Sequence, residues 1–222
     1  MKAGIIVFPG SNCDRDMAVA LQKAGAEVFM LWHKHTDLPK GLDLITIPGG
    51  FSFGDYLRCG AIAATSPICR SVISFAQRGG FVLGVCNGFQ VLTETGLLPG
   101  ALMQNVGLKF VCKSVDLRVC TTESAFTQKF NLDDTIKIPI AHHEGNYNVN
   151  LEEQKVLNDE NRIAFRYVDN PNGAADDIAG VLSQNRRVLG MMPHPERAID
   201  PLLGISDGQP LFASLLDKLT SA

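Results

Sequence analysis

The sequence lacks the patterns that mark secreted, membrane and nucleic-acid-binding proteins. No apolar run approaches the roughly 20 residues of a membrane span. The apolar part of residues 1–8 is too short for a signal peptide, and Pro9-Gly10 interrupts it. A net charge of −3 leaves no general excess of basic residues for nucleic acid or an anionic membrane. We therefore expect a cytoplasmic protein that binds neither membrane nor nucleic acid.

Disulfide and nucleotide-binding motifs are missing as well. The six cysteines, at positions 13, 59, 69, 86, 112 and 120, include no Cys-x-x-Cys pair, which favours reduced thiols over a disulfide framework. We expect Cys112 and Cys120 to pack within strands. Neither Gly-x-x-x-x-Gly-Lys-Ser/Thr nor Gly-x-Gly-x-x-Gly occurs, so no phosphate loop, ATP site or other cofactor is predicted in this chain.

The first part of the chain predicts an α/β fold. Short apolar runs typical of buried parallel strands occur at 3–8, 27–31, 43–47 and 81–85. Helical patterns lie between and after them, at 14–24 with Asp14 as a cap, at 61–77 with a break at Pro67, and at 87–95. This alternation predicts βαβ units and a doubly wound, mostly parallel sheet flanked by helices.

The second part of the chain has a different pattern of strands and helices. Strand patterns at 108–119, 136–140, 162–168 and 178–183 are joined by polar loops with few helices, which predicts an antiparallel extension of the sheet. Residues 188–192 return to the buried-strand pattern, and 208–219 form an amphipathic closing helix. With no repeat or linker, residues 1–222 are expected to form one domain.

One strand-to-helix corner carries a cysteine. The sequence Gly84-x-Cys86-x-Gly88 matches the thiol form of a nucleophile elbow, in which small neighbours let one side chain project above the sheet. A helix N-terminus favours thiolate over thiol, and the backbone N–H of Asn87 could donate to an oxyanion. A small buried cysteine of the core is the alternative.

A base and its orienting group follow the strand that ends near residue 192. His194 could take the thiol proton, and Glu196 could fix the tautomer of His194. In an extended segment, which the two flanking prolines favour, residues 194 and 196 share one side. A metal would need a third ligand, which His142 or His143 could supply, but no metal-ligand spacing appears, so no metal is predicted.

A third strand end carries the paired glycines Gly49 and Gly50, followed by Phe51. Glycines allow backbone N–H groups to turn inward, which suits an oxyanion hole or a carboxylate cradle. A tight turn without function is the alternative. Because carboxyl ends of parallel strands meet at one sheet edge, this turn, Cys86 and His194 predict a single site.

These motifs resemble a known family. Pro48-Gly49-Gly50, Gly84-x-Cys86-x-Gly88-x-Gln90 and His194-x-Glu196 are similar to the signature of class I glutamine amidotransferases, with their flavodoxin-like fold. Three longer stretches resemble the glutaminase subunits of phosphoribosylformylglycinamidine synthase, and the match covers nearly the whole chain. They are Phe8-Pro9-Gly10-Ser11-Asn12-Cys13-Asp14, the run from Gly50 to Ala61, and His143-Glu144-Gly145-Asn146-Tyr147. His143 departs from the glycine expected before Glu144.

The resemblance implies a Cys86, His194 and Glu196 triad that hydrolyses the glutamine side-chain amide. It implies that backbone N–H groups near Gly50 and Asn87 hold the oxyanion, and that Gln90 and the Phe51 region line the glutamine pocket. It also implies a separate synthase subunit, which uses the ammonia with ATP and magnesium, and a third, very small subunit. Residues 12–15 and 55–58 are then candidate docking contacts, or they only brace loops.

Two other functions are compatible with these residues. One is a free-standing hydrolase of γ-glutamyl amides or peptides that keeps the fold and the thiol, and glutamine turnover without a partner would favour it. The other is a catalytically silent scaffold that senses glutamine or binds a partner. An intact Cys86, His194 and Glu196 set is evidence against the scaffold, because a silent pocket has no need of an activated thiol.

Overall fold

The computed structural model describes residues 1–220 of the chain. Within this range the strands are β1 (Lys2–Val7), β2 (Glu27–Trp32), β3 (Leu44–Ile47), β4 (Phe81–Val85), β5 (Ala101–Met103), β6 (Val111–Val119), β7 (Thr135–His142), β8 (Asn146–Asn148), β9 (Ile163–Tyr167), β10 (Ile178–Leu182) and β11 (Val188–Met191). The α-helices of the same range are α1 (Asp14–Lys23), α2 (Ala61–Ala64), α3 (Pro67–Gln77), α4 (Asn87–Glu94), α5 (Leu151–Asp159) and α6 (Gln209–Thr220).

The strands β2-β1-β3-β4-β11 pair in this order and are all parallel. Every residue of β3 and β11 is buried, as expected for strands in the middle of a sheet that is covered on both faces. The doubly wound parallel half predicted from the sequence is confirmed, with strand ends shifted by a residue or two. The helix predicted at 61–77 does break before Pro67, giving α2 and α3.

The sheet continues from β11 through β10, β9, β6 and β7, and all of these pairings are antiparallel. This confirms the predicted extension. Along β7 buried positions alternate with exposed or half-buried ones, so mainly one face packs on the core. Cys112 lies in the exposed first part of β6, so the expectation that it packs is wrong, whereas Cys120 is half-buried.

Two strands and one α-helix within residues 1–220 were not predicted. The small sheet of β5 and β8 lies apart from the large one, and helix α5 lies between β8 and β9. Helix α5 buries only Leu157 and therefore lacks the apolar stripe by which a helix is recognised in a sequence. Its start is fixed locally by Asn150, whose Oδ1 accepts from the N–H of Glu153 at 2.8 Å. Such short or exposed elements carry little hydrophobic signal.

Helix α1 begins one residue earlier than predicted. Cys13, not Asp14, is the N-cap residue, and it makes no side-chain cap bond. Asp14 and Asp16 instead lie in the first turn, where negative charge is favoured by the helix dipole. None of the helices within residues 1–220 is long and apolar enough to cross a membrane.

The register of the parallel strands brings three chain segments to one edge. Ile47 of β3 pairs with Gly84 of β4, and Val85 of β4 pairs with Met191 of β11. The segments that leave the carboxyl ends of these strands therefore start side by side. They carry the paired glycines, Cys86 and His194, as the sequence predicts.

Candidate active site

Cys86 occupies the sharp corner between β4 and α4. Its φ of 51° and ψ of −107° are rare for a residue with a side chain, and such conformations persist only where the surrounding structure imposes them. The flanking glycines are sterically required: a Cβ on Gly84 would lie 2.7 Å from the Gly88 oxygen, and a Cβ on Gly88 would overlap the Ile47 oxygen. The predicted elbow is therefore present, with Cys86 only 5% exposed.

The thiol of Cys86 lies against two neighbouring segments. Its Sγ is 3.7 Å from the backbone oxygen of Ala141, the second-last residue of β7. Asn87, the first residue of α4, accepts a hydrogen bond at Oδ1 from the N–H of Ser52 at 3.3 Å. Since the first backbone N–H groups of a helix have no intrahelical partner, the start of α4 can offer a donor next to the sulfur.

His194 and Glu196 form a buried pair directly after β11. The Nδ1 of His194 lies 2.7 Å from the Oε1 of Glu196, and each residue is 2% exposed. The predicted extended segment is wrong, because Pro195–Arg197 is a 3₁₀ turn with proline at its start. The turn still brings the two side chains together. It leaves His194 Nε2 buried without a hydrogen-bond partner among the described residues, and therefore available to Cys86.

The surroundings of His194 favour its charged form. Burial of the ring acts to lower its pKa, but the negative charge of Glu196 and then of the Cys86 sulfur outweighs that effect and holds the pKa well above its ordinary value. A protonated imidazole next to a thiol stabilises the thiolate and keeps a proton ready for a leaving group.

The Gly49-Gly50 turn packs directly against His194 and Cys86. A Cβ on Gly49 would lie 2.7 Å from His194 Cε1, and Gly50 has a φ of +146° with the Gly10 oxygen 2.8 Å from where its Cβ would be. The N–H of Phe51 donates to that same Gly10 oxygen at 2.9 Å. Gly49 therefore lets the backbone approach His194 closely, and Gly50 lets the same turn pack against the backbone of residues 10–12. The Phe51 ring is 44% exposed and lies 6.4 Å from the ring of Phe110.

Gln90 connects α4 with the segment after β7. Its Oε1 accepts from Asn87 Nδ2 at 2.9 Å, and its Nε2 donates to the backbone oxygen of Glu144 at 2.7 Å. The structure thus brings together the predicted set around Cys86: the triad residues, the glycine turn, Asn87 and Gln90. Phe51 lies at its rim.

A buried polar network behind the Ala141–Gly145 segment was missed by sequence reasoning. Asn105 Oδ1 lies 3.1 Å from His142 Nδ1 and accepts from the N–H of Gly145 at 3.0 Å. Asn105 Nδ2 donates to the His142 oxygen at 3.0 Å, and Asn172 Nδ2 donates to the Gly145 oxygen at 2.8 Å. The network holds the backbone that contacts Cys86 and Gln90. Asn105 and Asn172 are far from this segment in the chain and belong to no motif, and His142 and His143 were considered only as possible metal ligands.

His142 is held neutral by this environment. Burial, followed by the charge of His194, lowers its pKa to about 4. Its ring nitrogens contact Asn105 and Asn172 rather than the triad. A neutral imidazole suits a network of uncharged amides.

A metal ion is disfavoured at the site. Ligand atoms of Cys13, His194 and Glu196 lie within 4.8 Å of one another, and neither His142 nor His143 joins this group among the described residues. However, Arg197 Nη2 lies 3.2 Å from Cys13 Sγ, and such a cation would repel a divalent ion. The absence of a metal stays a prediction.

The two candidate docking segments have internal partners. Arg58 makes two bonds to the carboxylate of Glu94 on α4, at 2.6 and 2.7 Å. Asn12 Oδ1 accepts from Cys13 Sγ at 3.1 Å. Both contacts support the bracing interpretation.

Comparisons with known proteins agree with this geometry. The model of the CobB/CobQ-like glutamine amidotransferase domain matches residues 1–204. The chain is 62% identical over 222 residues to the phosphoribosylformylglycinamidine synthase subunit PurQ of Ruegeria sp. (strain TM1040), with all of both chains covered. It is 54% identical to the same subunit of Zymomonas mobilis over 99% of this chain and 100% of the relative.

Solved structures agree as well. A chain of PurLQS from Thermotoga maritima aligns with a TM-score of 0.91 at 44% identity, covering 98% of each chain. A glutamine amidotransferase from the same organism aligns with a TM-score of 0.67 at 14% identity, covering 100% of this chain and 99% of the other, and indicates the fold alone. The expected α/β fold is confirmed. The chain belongs to the CobB/CobQ-like glutamine amidotransferase family and, within it, to the PurQ subunits of phosphoribosylformylglycinamidine synthase.

Proposed function

We propose that this chain is the glutaminase subunit of a phosphoribosylformylglycinamidine synthase in purine biosynthesis. It hydrolyses glutamine to glutamate and ammonia in the cytoplasm. It supplies the ammonia to a synthase subunit, which converts formylglycinamide ribonucleotide to formylglycinamidine ribonucleotide with ATP and magnesium, in a complex with a third, very small subunit. The observation that carries the proposal is the buried contact between His194 and Glu196 beside a cysteine elbow, in a chain 62% identical to such a subunit.

The first half of the reaction forms a thioester. The Cys86 thiolate attacks the side-chain amide carbon of glutamine, and the negative charge that develops on the amide oxygen is held by backbone N–H groups near Gly50 and Asn87. In other enzymes one such donor is worth about 2.7–4 kcal/mol of transition-state stabilisation. The protonated His194, oriented by Glu196, gives its proton to the departing ammonia.

The second half releases glutamate. A water molecule attacks the thioester carbon while His194, now neutral, takes its proton. The C–S bond then breaks and the Cys86 thiolate returns. Gln90 and Asn87 keep the start of α4 fixed against Glu144, and Phe51 lies at the entrance. The strained elbow conformation holds the Cys86 sulfur in position for attack without a backbone rearrangement.

Substitution of Cys86 in the reconstituted complex tests the proposal. Cys86→Ala should reduce glutamine-dependent product formation by at least about 10⁴-fold, since a nucleophile cannot be replaced by its neighbours. Ammonia-dependent product formation should remain, because it needs only the synthase subunit. Cys112→Ala, which removes an exposed thiol outside the site, serves as the control.

Other results would contradict the proposal in distinct ways. Retained glutamine use by Cys86→Ala would remove Cys86 as the nucleophile. Full glutamine turnover by the isolated chain would favour the free-standing hydrolase. Glutamine binding without turnover in any complex would favour the sensing scaffold.

A further inference from the structure

The site contains a second thiol that the proposed reaction does not use. Cys13 is 2% exposed and lies at the start of α1, where its backbone N–H donates to the Gly49 oxygen at 3.2 Å. Cys13 Sγ, a ring nitrogen of His194 and a carboxylate oxygen of Glu196 lie within 4.8 Å of one another. The chain thus places a second cysteine sulfur close to the same imidazole.

The space around Gly49 shows how closely these groups converge. A Cβ on Gly49 would lie 3.1 Å from Cys13 Sγ, 2.7 Å from His194 Cε1 and 3.3 Å from Cys86 Cβ. The space that a side chain at position 49 would need is therefore occupied by the Cys13 sulfur and the His194 imidazole. Because this region is densely packed, a change in the sulfur is transmitted to the ring position.

The Cys13 sulfur also has a charged partner. Arg197 Nη2 donates to Cys13 Sγ at 3.2 Å, and Arg197 Nε donates to Asp16 Oδ2 at 3.0 Å. Arg197 directly follows Glu196 in the chain. Cys13 therefore joins three segments: the first turn of α1, the Gly49-Gly50 turn and the 3₁₀ turn that carries the triad pair.

We propose that Cys13 is a positioning residue for the glutaminase reaction: its sulfur supports the His194 ring from the Gly49 side and anchors Arg197, so that Nε2 stays aligned with Cys86. This rests on the proposed function. A thiol suits the position because its sulfur is polarizable and fills the space next to Gly49. A carboxylate there would compete with Glu196 for the imidazole, and alanine would leave a void.

The charges around the ring agree with this role. The titratable groups that face His194 are Glu196, Cys86, Cys13 and His142, with Arg197 behind Cys13. Burial lowers the pKa of His194, whereas Glu196, Cys86 and then Cys13 raise it. Loss of the Cys13 sulfur should therefore weaken the hold of His194 on its proton as well as its position.

Kinetics of the reconstituted complex with Cys13→Ala and Cys13→Ser test the inference. We expect Cys13→Ala to lower the kcat for glutamine about 10- to 100-fold with KM changed less than about twofold, because a misplaced base affects the transition state more than substrate binding. In a plot of kcat/KM against pH, the alkaline limb should move to lower pH, because His194 would lose its proton more easily. Cys13→Ser should recover part of both effects. Ammonia-dependent activity should be unchanged in each variant.

Cys69→Ala is the matched control, because Cys69 is a 1% exposed thiol in α3 whose loss leaves a comparable void away from the site. It should change thermal stability without moving kcat or the pH profile. An unaltered kcat and pH profile in Cys13→Ala would overturn the inference, as would losses no larger than those of Cys69→Ala. Such a result, with Cys86→Ala inactive on glutamine, would leave the proposed function intact.

Discussion

The two halves of the sheet contribute to the candidate active site by different means. The parallel half uses the backbone: the Gly49-Gly50 turn and the Cys86 elbow follow strands β3 and β4, where glycines allow contacts that a Cβ would prevent. The antiparallel half uses buried side chains, with Asn105 and His142 holding the wall that contacts Cys86 and Gln90. The backbone of the parallel half fixes the positions of Cys86 and His194, and the buried side chains of the antiparallel half fix the wall that faces them.

Among substitutions outside Cys86, His194 and Glu196, Gly49→Ala should give the largest effect, because the new Cβ would meet His194 in the parallel half. We expect glutamine-dependent kcat to fall about 10²-fold or more, since small displacements of catalytic groups have effects of this size. Gly107→Ala is the control, as nothing lies within 4 Å of a Cβ there. Steady-state kinetics of the complex would check this, and wild-type kcat in Gly49→Ala would disprove the close approach.

Asn105→Ala, which disturbs the wall of the antiparallel half, should change the KM for glutamine rather than kcat. Removing this amide leaves the His142 and Gly145 groups unpaired, so the free energy of unfolding should fall by about 2–3 kcal/mol. The displaced wall should raise KM for glutamine about tenfold. Asn131→Ala, at an exposed asparagine, should change neither quantity appreciably. A change confined to kcat would show that the wall acts on chemistry and would erase the contrast between the halves.

The pH dependence of stability should separate the two buried histidines. The pKa of His142 is about 4 in the folded chain against 6.5 ordinarily, so between these values the unfolded chain binds a proton that the folded chain does not. Stability is therefore lost as pH falls below 6.5, by about 2–3 kcal/mol at pH 4.5. The raised pKa of His194 has the opposite sign, because its contribution is present below pH 6.5 and is lost as pH rises through the folded pKa.

Urea unfolding of wild type and His142→Gln at pH 7 and pH 4.5 would measure the His142 contribution. The variant should lose less stability between the two pH values than wild type, whatever its stability at pH 7. His35→Gln, at an exposed histidine, should keep the wild-type difference. An equal loss in wild type and His142→Gln would show that His142 is not held neutral.

Arg58→Ala should give the smallest effect. A half-exposed ion pair such as Arg58–Glu94 contributes less than about 1 kcal/mol. If the pair only braces the loop, Arg58→Ala and Glu94→Ala should lower stability equally and leave the Kd for the synthase subunit unchanged. Titration of the two subunits would decide this, because weaker binding by Arg58→Ala alone would identify Arg58 as a docking contact.

The same contrast explains what the sequence could predict. A glycine pair or Gly-x-Cys-x-Gly directly after a buried strand indicates a close backbone approach. The sequence therefore predicted the parallel half of the sheet and most of the site residues that it carries. The 3₁₀ turn at Pro195 was not predicted, because proline is compatible with both extended and turn conformations. Asn105 and Asn172 were missed because asparagine is common in loops, and only folding brings these distant residues to His142. Cys13 was noted in a stretch that resembles the family and among the candidate docking residues, but nothing in the sequence placed its sulfur beside His194.

The most direct test of the central claim is mass-spectrometric labelling of the chain, alone and in its complex, with an electrophile that mimics glutamine. The strained elbow and the raised pKa of His194 predict modification of Cys86 alone among the six cysteines, prevented by excess glutamine. Labelling spread over several cysteines, labelling of Cys13 in place of Cys86, or none at Cys86 even in the complex would contradict the assignment of Cys86 as the nucleophile of a glutaminase.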